Sequence, residues 1–420
     1  MKGIKRILLV TSAPPWPTNN GGRQRTFLLH QALSKIGVVD LICICYPEDF
    51  SEADMVVLRE RFNLLAMVPE SRASMRFPWT LVERFSPKSV GRAAEFFDFG
   101  RSLLKPIPKV LRALDGRYQP ENYDLVVGRY LPSIAAVGLP VDVPVCLDVD
   151  DLDTDRLSGK LRNPNYTWLH RFIFKRQIGS ITKQLPFFLK KFDHVWVCNP
   201  KNRSKFGLSK ATVLPNIPLL KVAGEGLQTL DFPAGSREVG VIASFRYDVN
   251  EQGMNWFLER VWPSVVKSVP EANLKIYGSG ISSVMRERWS ESPRVSVVGF
   301  VDEVEDAYRS SALMVCPVLT GGGTNIKVVE AAYFGRVCVL TEAATRGYRE
   351  YPELKDILQF GESASAMSSV IVKLLLSADE NKALALSHRD LFQALFSLEN
   401  FEKNVRLGVE ESLSAFEAVK

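Results

Sequence analysis

The segment 320–336, TGGGTNIKVVEAAYFGR, has the residue types and spacing that best suit ligand chemistry in this sequence. A glycine-rich loop that opens a helix exposes unpaired backbone N–H groups, and the helix dipole adds positive potential at the same end. If the helix begins near Asn325, Lys327 and Glu330 share one face of its first turns. Such a site would suit a ligand with phosphate and hydroxyl groups. A surface Lys–Glu pair would have the same spacing, so the pattern alone leaves both interpretations open.

Two common nucleotide-binding motifs do not match this segment. A Walker P-loop needs a lysine directly after its last glycine and Ser or Thr directly after that lysine. Here Lys327 follows Ile326 and precedes Val328. The dinucleotide fingerprint belongs after the first strand of its domain, whereas this segment lies late in the chain. The anion site therefore belongs to neither motif.

The surrounding sequence alternates short apolar runs with amphipathic stretches. Strand-like runs occupy 6–12, 39–46, 123–129, 143–149 and 194–199 in the first half, and 238–244, 273–279, 295–300, 312–318 and 336–341 in the second. They are continuous and rich in Val and Ile, which favours parallel strands covered on both faces. Because 420 residues exceed one ordinary core, we predict an α/β protein with two Rossmann-like, doubly wound parallel-sheet domains.

Several polar or glycine-rich segments follow the predicted strands, at the sheet edge where ligands bind. Gly21, Gly22 and Arg23 open a helix after the first strand. Arg23 and Arg25 are disfavoured by the helix dipole at that position unless an anion lies nearby. In the second half, Arg246 follows the end of one predicted strand, and Gly278 and Gly280 lie at the end of the next predicted strand.

A cluster of aspartates follows the run 143–149. Its members are Asp148, Asp150, Asp151, Asp153 and Asp155. Carboxylates this close together are solvated, bound to cations or functional, and one of them could also cap a helix. The spacing of an EF-hand loop is absent, since its glycine and closing glutamate do not follow in place.

The net charge of +6 is concentrated in the segment 156–210, which has thirteen Lys or Arg residues and a single acid, Asp193. Aromatic residues are interleaved with these cations. A solvated basic helical face and a surface that contacts anionic lipid headgroups both fit this pattern. Nucleic acid is not expected as a partner, because no nucleic-acid-binding motif accompanies the segment.

Cysteine usage and apolar runs indicate a cytoplasmic protein. The six cysteines lie in or beside strand-like runs without C-x-x-C spacing, so we expect buried, reduced thiols and no metal site. The first apolar run, 7–10, is too short for a signal peptide and is predicted to be a strand. No run approaches the length of a membrane span.

Together these segments resemble the family-4 glycosyltransferases of GT-B architecture over nearly the whole chain. The specific part is the block 295–341; the glycine loop after the first strand, VLPNI at 213–217, Arg246 and IYGSG at 276–280 support it. The resemblance implies an acceptor-binding domain at 1–215, a linker at 216–236, a nucleotide-sugar-binding domain at 237–395 and a C-terminal helix at 396–420 that returns to the first domain. It also implies a cleft between the two domains.

The resemblance implies roles for individual residues. Glu330 matches the glutamate that holds the donor ribose, and Arg246 matches the cation that neutralises the leaving diphosphate. The remaining expected donor-binding residues are Gly278, Gly280, Phe300, Val301, Gly321, Gly322, Gly323, Thr324 and Asn325. On the acceptor side we expect Gly21, Gly22 and Arg23, with Asp150 or Asp151 deprotonating the acceptor.

The sequence departs from the family pattern at two positions. The first glutamate of the E-x7-E motif is replaced by Gly322, and the lysine of the R-x5-K-G pattern is replaced by Gln252. Our hypothesis is that Lys327 supplies the missing charge and that amides of the glycine loop replace the missing sugar contact.

The predicted activity is transfer of a sugar from a nucleoside-diphosphate sugar to a glycan or lipid-linked glycan, with retention and without a metal. No cofactor is expected beyond the donor substrate. The predicted location is cytoplasmic, with peripheral contact to the inner membrane face through 156–210. A non-catalytic nucleotide-sugar-binding or scaffolding protein on the same fold is the alternative, and a phosphorylase-like enzyme is a second one.

Overall fold

The computed structural model describes residues 5–69, 106–150, 157, 158, 161, 167–205, 211–219, 230–233, 235–320 and 324–418. The chain forms two compact units, one of Met1–Pro215 with Glu399–Lys420 and one of Asn216–Leu398. Both units are built on parallel sheets flanked by helices, so the predicted fold class is confirmed. In the described ranges, no helix is both long and apolar enough to span a bilayer.

The first unit contains a seven-stranded parallel sheet with strand order β3-β2-β1-β4-β5-β6-β7. Its strands are β1 Arg6–Thr11, β2 Val38–Ile44, β3 Leu64–Val68, β4 Leu125–Arg129, β5 Val145–Asp150, β6 His194–Val197 and β7 Ala211–Val213. The strand order reverses between β1 and β4, so their carboxyl ends form the switch point where open α/β sheets bind ligands. Strands β3 and β7 were not predicted from the sequence.

The helices described for this unit are α1 Gly21–Ser34, α2 Glu52–Phe62, α3 Pro108–Leu114, α4 Leu131–Val137, α5 Trp168–Leu189 and α6 Pro200–Lys205. Helix α1 begins at Gly21, where the sequence predicted a helix start. Asn20 explains this start, because its side chain accepts a hydrogen bond from the backbone N–H of Arg23 at 3.0 Å and caps the helix.

The second unit contains a six-stranded parallel sheet with strand order β10-β9-β8-β11-β12-β13. Its strands are β8 Glu238–Ile242, β9 Asn273–Tyr277, β10 Val295–Gly299, β11 Leu313–Cys316, β12 Cys338–Thr341 and β13 Phe360–Gly361. Here the order reverses between β8 and β11. The two-residue strand β13 was not predicted from the sequence.

The helices described for the second unit are α7 Asp248–Arg260, α8 Trp262–Ser268, α9 Ser283–Ser290, α10 Val304–Ser310, α11 Ile326–Tyr333, α12 Ala364–Leu376 and α13 Ala378–Phe396. Helices α7 and α8 follow each other closely, and Pro263 lies in the first turn of α8, where proline is tolerated. The last helix, α14 Leu398–Glu417, belongs almost entirely to the first unit.

The cysteines lie mostly where the sequence predicted. Cys43, Cys146, Cys198, Cys316 and Cys338 are buried free thiols. Cys45 is only half-buried, because it lies one residue beyond the end of β2. Burial is thus correct for five of the six and wrong for Cys45.

Candidate functional site

The candidate site in the second unit lies at the carboxyl ends of β8 and β11, where the strand order reverses. β8 pairs with β9 on one side and with β11 on the other. The loops that follow β8, β9 and β10, together with the start of α11, carry the residues predicted to bind the donor. Parallel strands bring these chain segments to one edge of the sheet.

Two glycines after β9 determine the path of the loop after β8. Gly278 has φ of +146°, and a Cβ atom there would lie 1.7 Å from the carbonyl oxygen of Ala243. Its N–H donates to the carbonyl of Gly299 at 2.7 Å. A Cβ atom at Gly280 would lie 2.4 Å from Cγ of Arg246. Only glycine allows this close backbone approach, which positions the segment bearing Arg246.

Replacing Gly278 by alanine is expected to lower the free energy of unfolding by about 2–3 kcal/mol, because the new methyl group overlaps a backbone carbonyl. Gly235→Ala is the matched control: this residue also has positive φ, at +78°, but no atom lies within 4 Å of its Cβ position. The control should lose about 1 kcal/mol. Urea denaturation of both variants measures the difference, and equal losses would contradict the predicted overlap.

The loops after β8 and β10 present side chains to solvent at this edge. Arg246 is exposed, whereas the preceding Phe245 is buried and its N–H donates to the carbonyl of Ser279 at 2.8 Å. Phe300 is 71% exposed directly after β10, and Val301 is half-buried. An exposed aromatic ring on a well-anchored strand end is available to contact a planar ligand group.

The start of α11 is held by backbone and side-chain contacts. Asn325 occupies the N-cap position, and its carbonyl accepts a hydrogen bond from the Tyr348 hydroxyl at 2.7 Å. Thr324 Oγ1 accepts one from Asn216 Nδ2 at 2.9 Å. Helix α11 therefore begins at the position predicted from the sequence. The predicted loop residues Gly321, Gly322 and Gly323 lie outside the described residues.

Lys327, a half-buried residue, connects α11 to the first turn of α7, the helix that follows β8. Its Nζ donates to Asn250 Oδ1 at 3.3 Å. Asn250 in turn donates through Nδ2 to the carbonyl of Ser244 at 2.8 Å. The ammonium group is thus directed toward the segment that carries Arg246. Sequence reasoning missed Asn250, because it occupies an unspecified position of the R-x5-K-G pattern.

Glu330 is half-buried on the same helix and accepts a hydrogen bond from the Tyr308 hydroxyl at 3.1 Å. Burial raises the pKa of the Glu330 carboxyl, and the Tyr308 hydrogen bond and the charge of Lys327 oppose that rise only in part. Tyr308 is buried and stacked on Phe334, with ring centroids 4.7 Å apart. The carboxylate therefore has a fixed position and lies where ligand hydroxyls would improve its solvation.

The position that departs from the family pattern, Gln252, has a buried Nε2 without a hydrogen-bond partner in the described part of the chain. The next residue, Gly253, packs against the chain after β11: a Cβ there would lie 2.3 Å from the Pro317 carbonyl oxygen. Helix α7 is therefore pressed closely against the switch point, and Gln252 leaves an unused donor beside it.

The first unit has a buried ion cluster at its own sheet edge. Arg25 donates to both carboxylate oxygens of Asp148, at 2.9 and 2.7 Å, and Arg129 also donates to this group. All three side chains are almost fully buried. Burial alone would raise the pKa of Asp148, but the two guanidinium groups outweigh it and hold this pKa below the usual range. Asp148 is therefore bound to cations, one of the alternatives the sequence left open.

Arg129 also joins the predicted acceptor-side residues. Its Nη2 donates to the Gly22 carbonyl at 3.0 Å and to Asp150 Oδ2 at 3.2 Å. Asp150 Oδ2 also accepts from the Tyr130 hydroxyl at 3.4 Å. A Cβ atom at Gly22 would lie 3.0 Å from that hydroxyl, whereas no atom lies near that of Gly21. The structure thus brings Gly22 and Asp150 together.

The remaining acceptor-side predictions lie apart from this contact. Arg23 places its guanidinium over the ring of Phe50, 4.6 Å from the centroid. Asp151, the other candidate base, lies outside the described residues. Arg129 was missed by sequence reasoning, because no motif marks a buried arginine at the end of a strand.

Solved structures with the same architecture cover almost the entire chain. A sucrose-phosphate synthase from Thermosynechococcus elongatus superposes with a TM-score of 0.63 at 14% identity, covering 98% of this chain and 100% of its own. WaaG, a glycosyltransferase involved in lipopolysaccharide biosynthesis, gives 0.59 at 14% identity, with coverages of 96% and 99%. Anabaena HepE in complex with UDP-glucose gives 0.56 at 10%, with coverages of 97% and 99%.

The two parallel-sheet units share the GT-B fold of these solved structures. Residues 236–377, about a third of the chain, match the family described as Glycosyl transferases group 1. A Klebsiella pneumoniae protein described as an uncharacterized 44.6 kDa protein in the cps region is 23% identical over 366 residues, which are 82% of this chain and 84% of that protein.

Proposed function

We propose that this protein is a glycosyltransferase that moves a sugar from a nucleoside-diphosphate sugar to a glycan or lipid-linked glycan, retaining the anomeric configuration and using no metal. The observation that carries the proposal is the placement of Lys327, which reaches Asn250 in the first turn of α7 while Glu330 lies on the same helix as Lys327. A cation and a carboxylate at a helix N-terminus and switch point suit the diphosphate and ribose of one ligand.

In this proposal each part of the donor has its own contacts. Lys327 and Arg246 neutralise the diphosphate, and Glu330 accepts hydrogen bonds from the ribose hydroxyls. The nucleotide base and the sugar are bordered by the loop residues Gly278, Gly280, Phe300, Val301, Gly321, Gly322, Gly323, Thr324 and Asn325.

The proposed chemistry is mainly electrostatic. As the bond to the sugar breaks, negative charge develops on the leaving diphosphate and positive character on the sugar. Fixed donors directed at the diphosphate stabilise that state more than the ground state. Lys327 is suited to this role because its ammonium group is held by a hydrogen bond to Asn250. Product anomer analysis by NMR, with and without EDTA, tests retention and metal independence.

The comparisons support the substrate classes in this proposal. HepE was solved in complex with UDP-glucose, and TarM in complex with UDP and α-GlcNAc-glycerol. WaaG is involved in lipopolysaccharide biosynthesis, and the Klebsiella relative is encoded in a cps region. The last two descriptions support a role in making a cell-surface polysaccharide.

On the acceptor side, we propose that Asp150 receives the acceptor proton or positions the acceptor hydroxyl. It is partly exposed, whereas Asp148 is fully buried, so only Asp150 reaches the edge at β1 and β4. Asp150→Asn should slow transfer to acceptor by about 100-fold while donor hydrolysis in water stays unchanged. Full transfer by this variant would exclude the role.

Replacing Glu330 by glutamine separates ligand binding from stability. Because the pKa of Glu330 is raised, its carboxyl binds a proton more tightly in the folded protein without ligand than in the unfolded chain. Ionisation of Glu330 therefore lowers the stability of the folded protein as pH rises above the ordinary glutamate range. Glu330→Gln should therefore unfold at the same or a higher temperature at neutral pH, with the difference vanishing in acid. Nucleotide affinity should fall about 10- to 100-fold, because charged hydrogen bonds to the ribose are lost.

Thermal unfolding measures the expected change in stability, and calorimetric titration measures the expected change in nucleotide affinity. A variant that unfolds at a lower temperature at neutral pH and binds nucleotide normally would show that Glu330 is a structural residue only.

The proposed function is tested by offering the purified protein UDP-, GDP- and dTDP-sugars and measuring nucleotide release. A competent donor site should hydrolyse one of them slowly without acceptor and faster with acceptor glycan. Stabilisation by a nucleotide without release under either condition would instead favour the non-catalytic nucleotide-sugar-binding alternative.

A further inference from the structure

The outward face of α5 carries an unusual set of side chains. Trp168 and Phe187, near its two ends, are 79% and 70% exposed, and Phe172 is 48% exposed. Exposed cations lie among them. We call this set the basic-aromatic face; its residues are Trp168, Phe172, Lys175, Arg176, Lys183, Phe187 and Lys190.

The face is continuous along one side of the helix. At 100° per residue, the seven positions fall within about one third of the circumference, and at 1.5 Å per residue they extend over about 33 Å. The opposite side is seated in the core of the first unit through Phe174, Ile181, Leu185 and Leu189. The core therefore does not need the outward aromatic residues.

The charge on this helix has one sign. No Asp or Glu occurs between Trp168 and Leu189, so the cations of the face have no acidic neighbour along the helix. An ordinary solvated helix mixes both signs and keeps large aromatic rings inside. Amphipathic rings beside unopposed cations match the headgroup region of an anionic bilayer, where rings insert at the interface and cations meet lipid phosphates.

We propose that the basic-aromatic face docks on an anionic lipid surface with α5 lying in the plane of the interface. Docking would hold the first unit at a membrane, where a lipid-linked acceptor is found. The interaction requires no nucleotide and no catalytic residue, so it stands or falls independently of the proposed sugar transfer.

The test is co-sedimentation of the full chain with vesicles of phosphatidylcholine, with and without phosphatidylglycerol. The wild type should bind only the vesicles that contain phosphatidylglycerol, and added salt should weaken binding. A charge variant should bind at least about 100-fold more weakly, since each cation near such a surface contributes about five-fold. It combines Lys175→Gln, Arg176→Gln, Lys183→Gln and Lys190→Gln.

A matched control removes four exposed cations elsewhere, giving the same net charge. It combines Lys109→Gln, Arg112→Gln, Lys267→Gln and Lys355→Gln, and it should bind like the wild type. An aromatic variant, Trp168→Ser with Phe172→Ser and Phe187→Ser, should also lose binding. Circular dichroism and nucleotide-induced thermal shift establish that each variant is folded.

Three results would overturn the proposal. One is equal vesicle binding by the wild type and the charge variant, and another is equal loss in the control, which would show a dependence on net charge alone. The third is the absence of vesicle binding by the wild type, including the case in which it binds an oligonucleotide through the same cations instead.

Discussion

Replacing Lys327 by methionine is expected to lower the affinity for nucleoside diphosphate about 10- to 100-fold, because a charge-assisted hydrogen bond to the diphosphate is lost. Turnover should fall further, about 100- to 1000-fold, since the same ammonium group opposes charge that develops as the diphosphate leaves. Methionine keeps the apolar stem of the side chain, so the packing of α11 should be preserved. Titration calorimetry and nucleotide release measure the two effects.

Lys267→Met is the matched control, because Lys267 is an exposed lysine of the second unit on α8. It should bind nucleotide as the wild type does. Salt should weaken binding to the wild type more than to Lys327→Met, since the variant has lost a cation from the site. Wild-type affinity and turnover in Lys327→Met would show that the diphosphate is held elsewhere.

Replacing Asp148 by asparagine is expected to lower the free energy of unfolding by about 3–5 kcal/mol. The change leaves two buried guanidinium groups, those of Arg25 and Arg129, without the carboxylate that holds both. The lowered pKa of Asp148 gives a second signature. Wild-type stability from this group is present above the ordinary aspartate range and is lost as pH falls through the folded value.

The variant should therefore have a flatter stability profile in acid than the wild type, in chemical denaturation followed by fluorescence. Glu52→Gln provides the comparison, because it removes an exposed ion pair with Arg59 at 3.6 Å and should cost less than about 1 kcal/mol. If both substitutions cost the same, the buried cluster does not stabilise the first unit.

The fold was predictable from the sequence because most core strands are continuous runs of Val, Ile and Leu. Such runs indicate parallel strands covered on both faces, and the strands of both sheets pair in parallel. The strands that sequence analysis missed are β3, β7 and β13, and all three lie at sheet edges. Strand β7 has three residues and β13 has two, so neither is long enough to show a recognisable hydrophobic pattern.

Parts of the candidate site could also be predicted from the sequence. The spacing of Lys327 and Glu330 predicts a shared helix face, and α11 begins at Ile326 as expected. The hydrogen-bond partners of these two residues could not be predicted. Asn250 lies 77 positions from Lys327, and Tyr308 lies 22 positions from Glu330, so only the folded sheet brings each pair together.

The ion cluster of the first unit was likewise predictable only in part. An arginine near a helix start predicts a nearby anion, and Arg25 has one. The identity of that anion, Asp148, is set by the fold, which brings α1 and β5 together across 123 positions of sequence. Arg129 completes the cluster from β4, and local sequence contains no signal for it.

The central claim is that α11 binds the nucleoside diphosphate of a sugar donor. A crystal structure of the protein with the nucleoside diphosphate that stabilises it most in a thermal-shift panel tests this directly. We predict a diphosphate oxygen within hydrogen-bond distance of Lys327 Nζ and a ribose hydroxyl donating to Glu330. A nucleotide bound without contact to either residue would contradict the account.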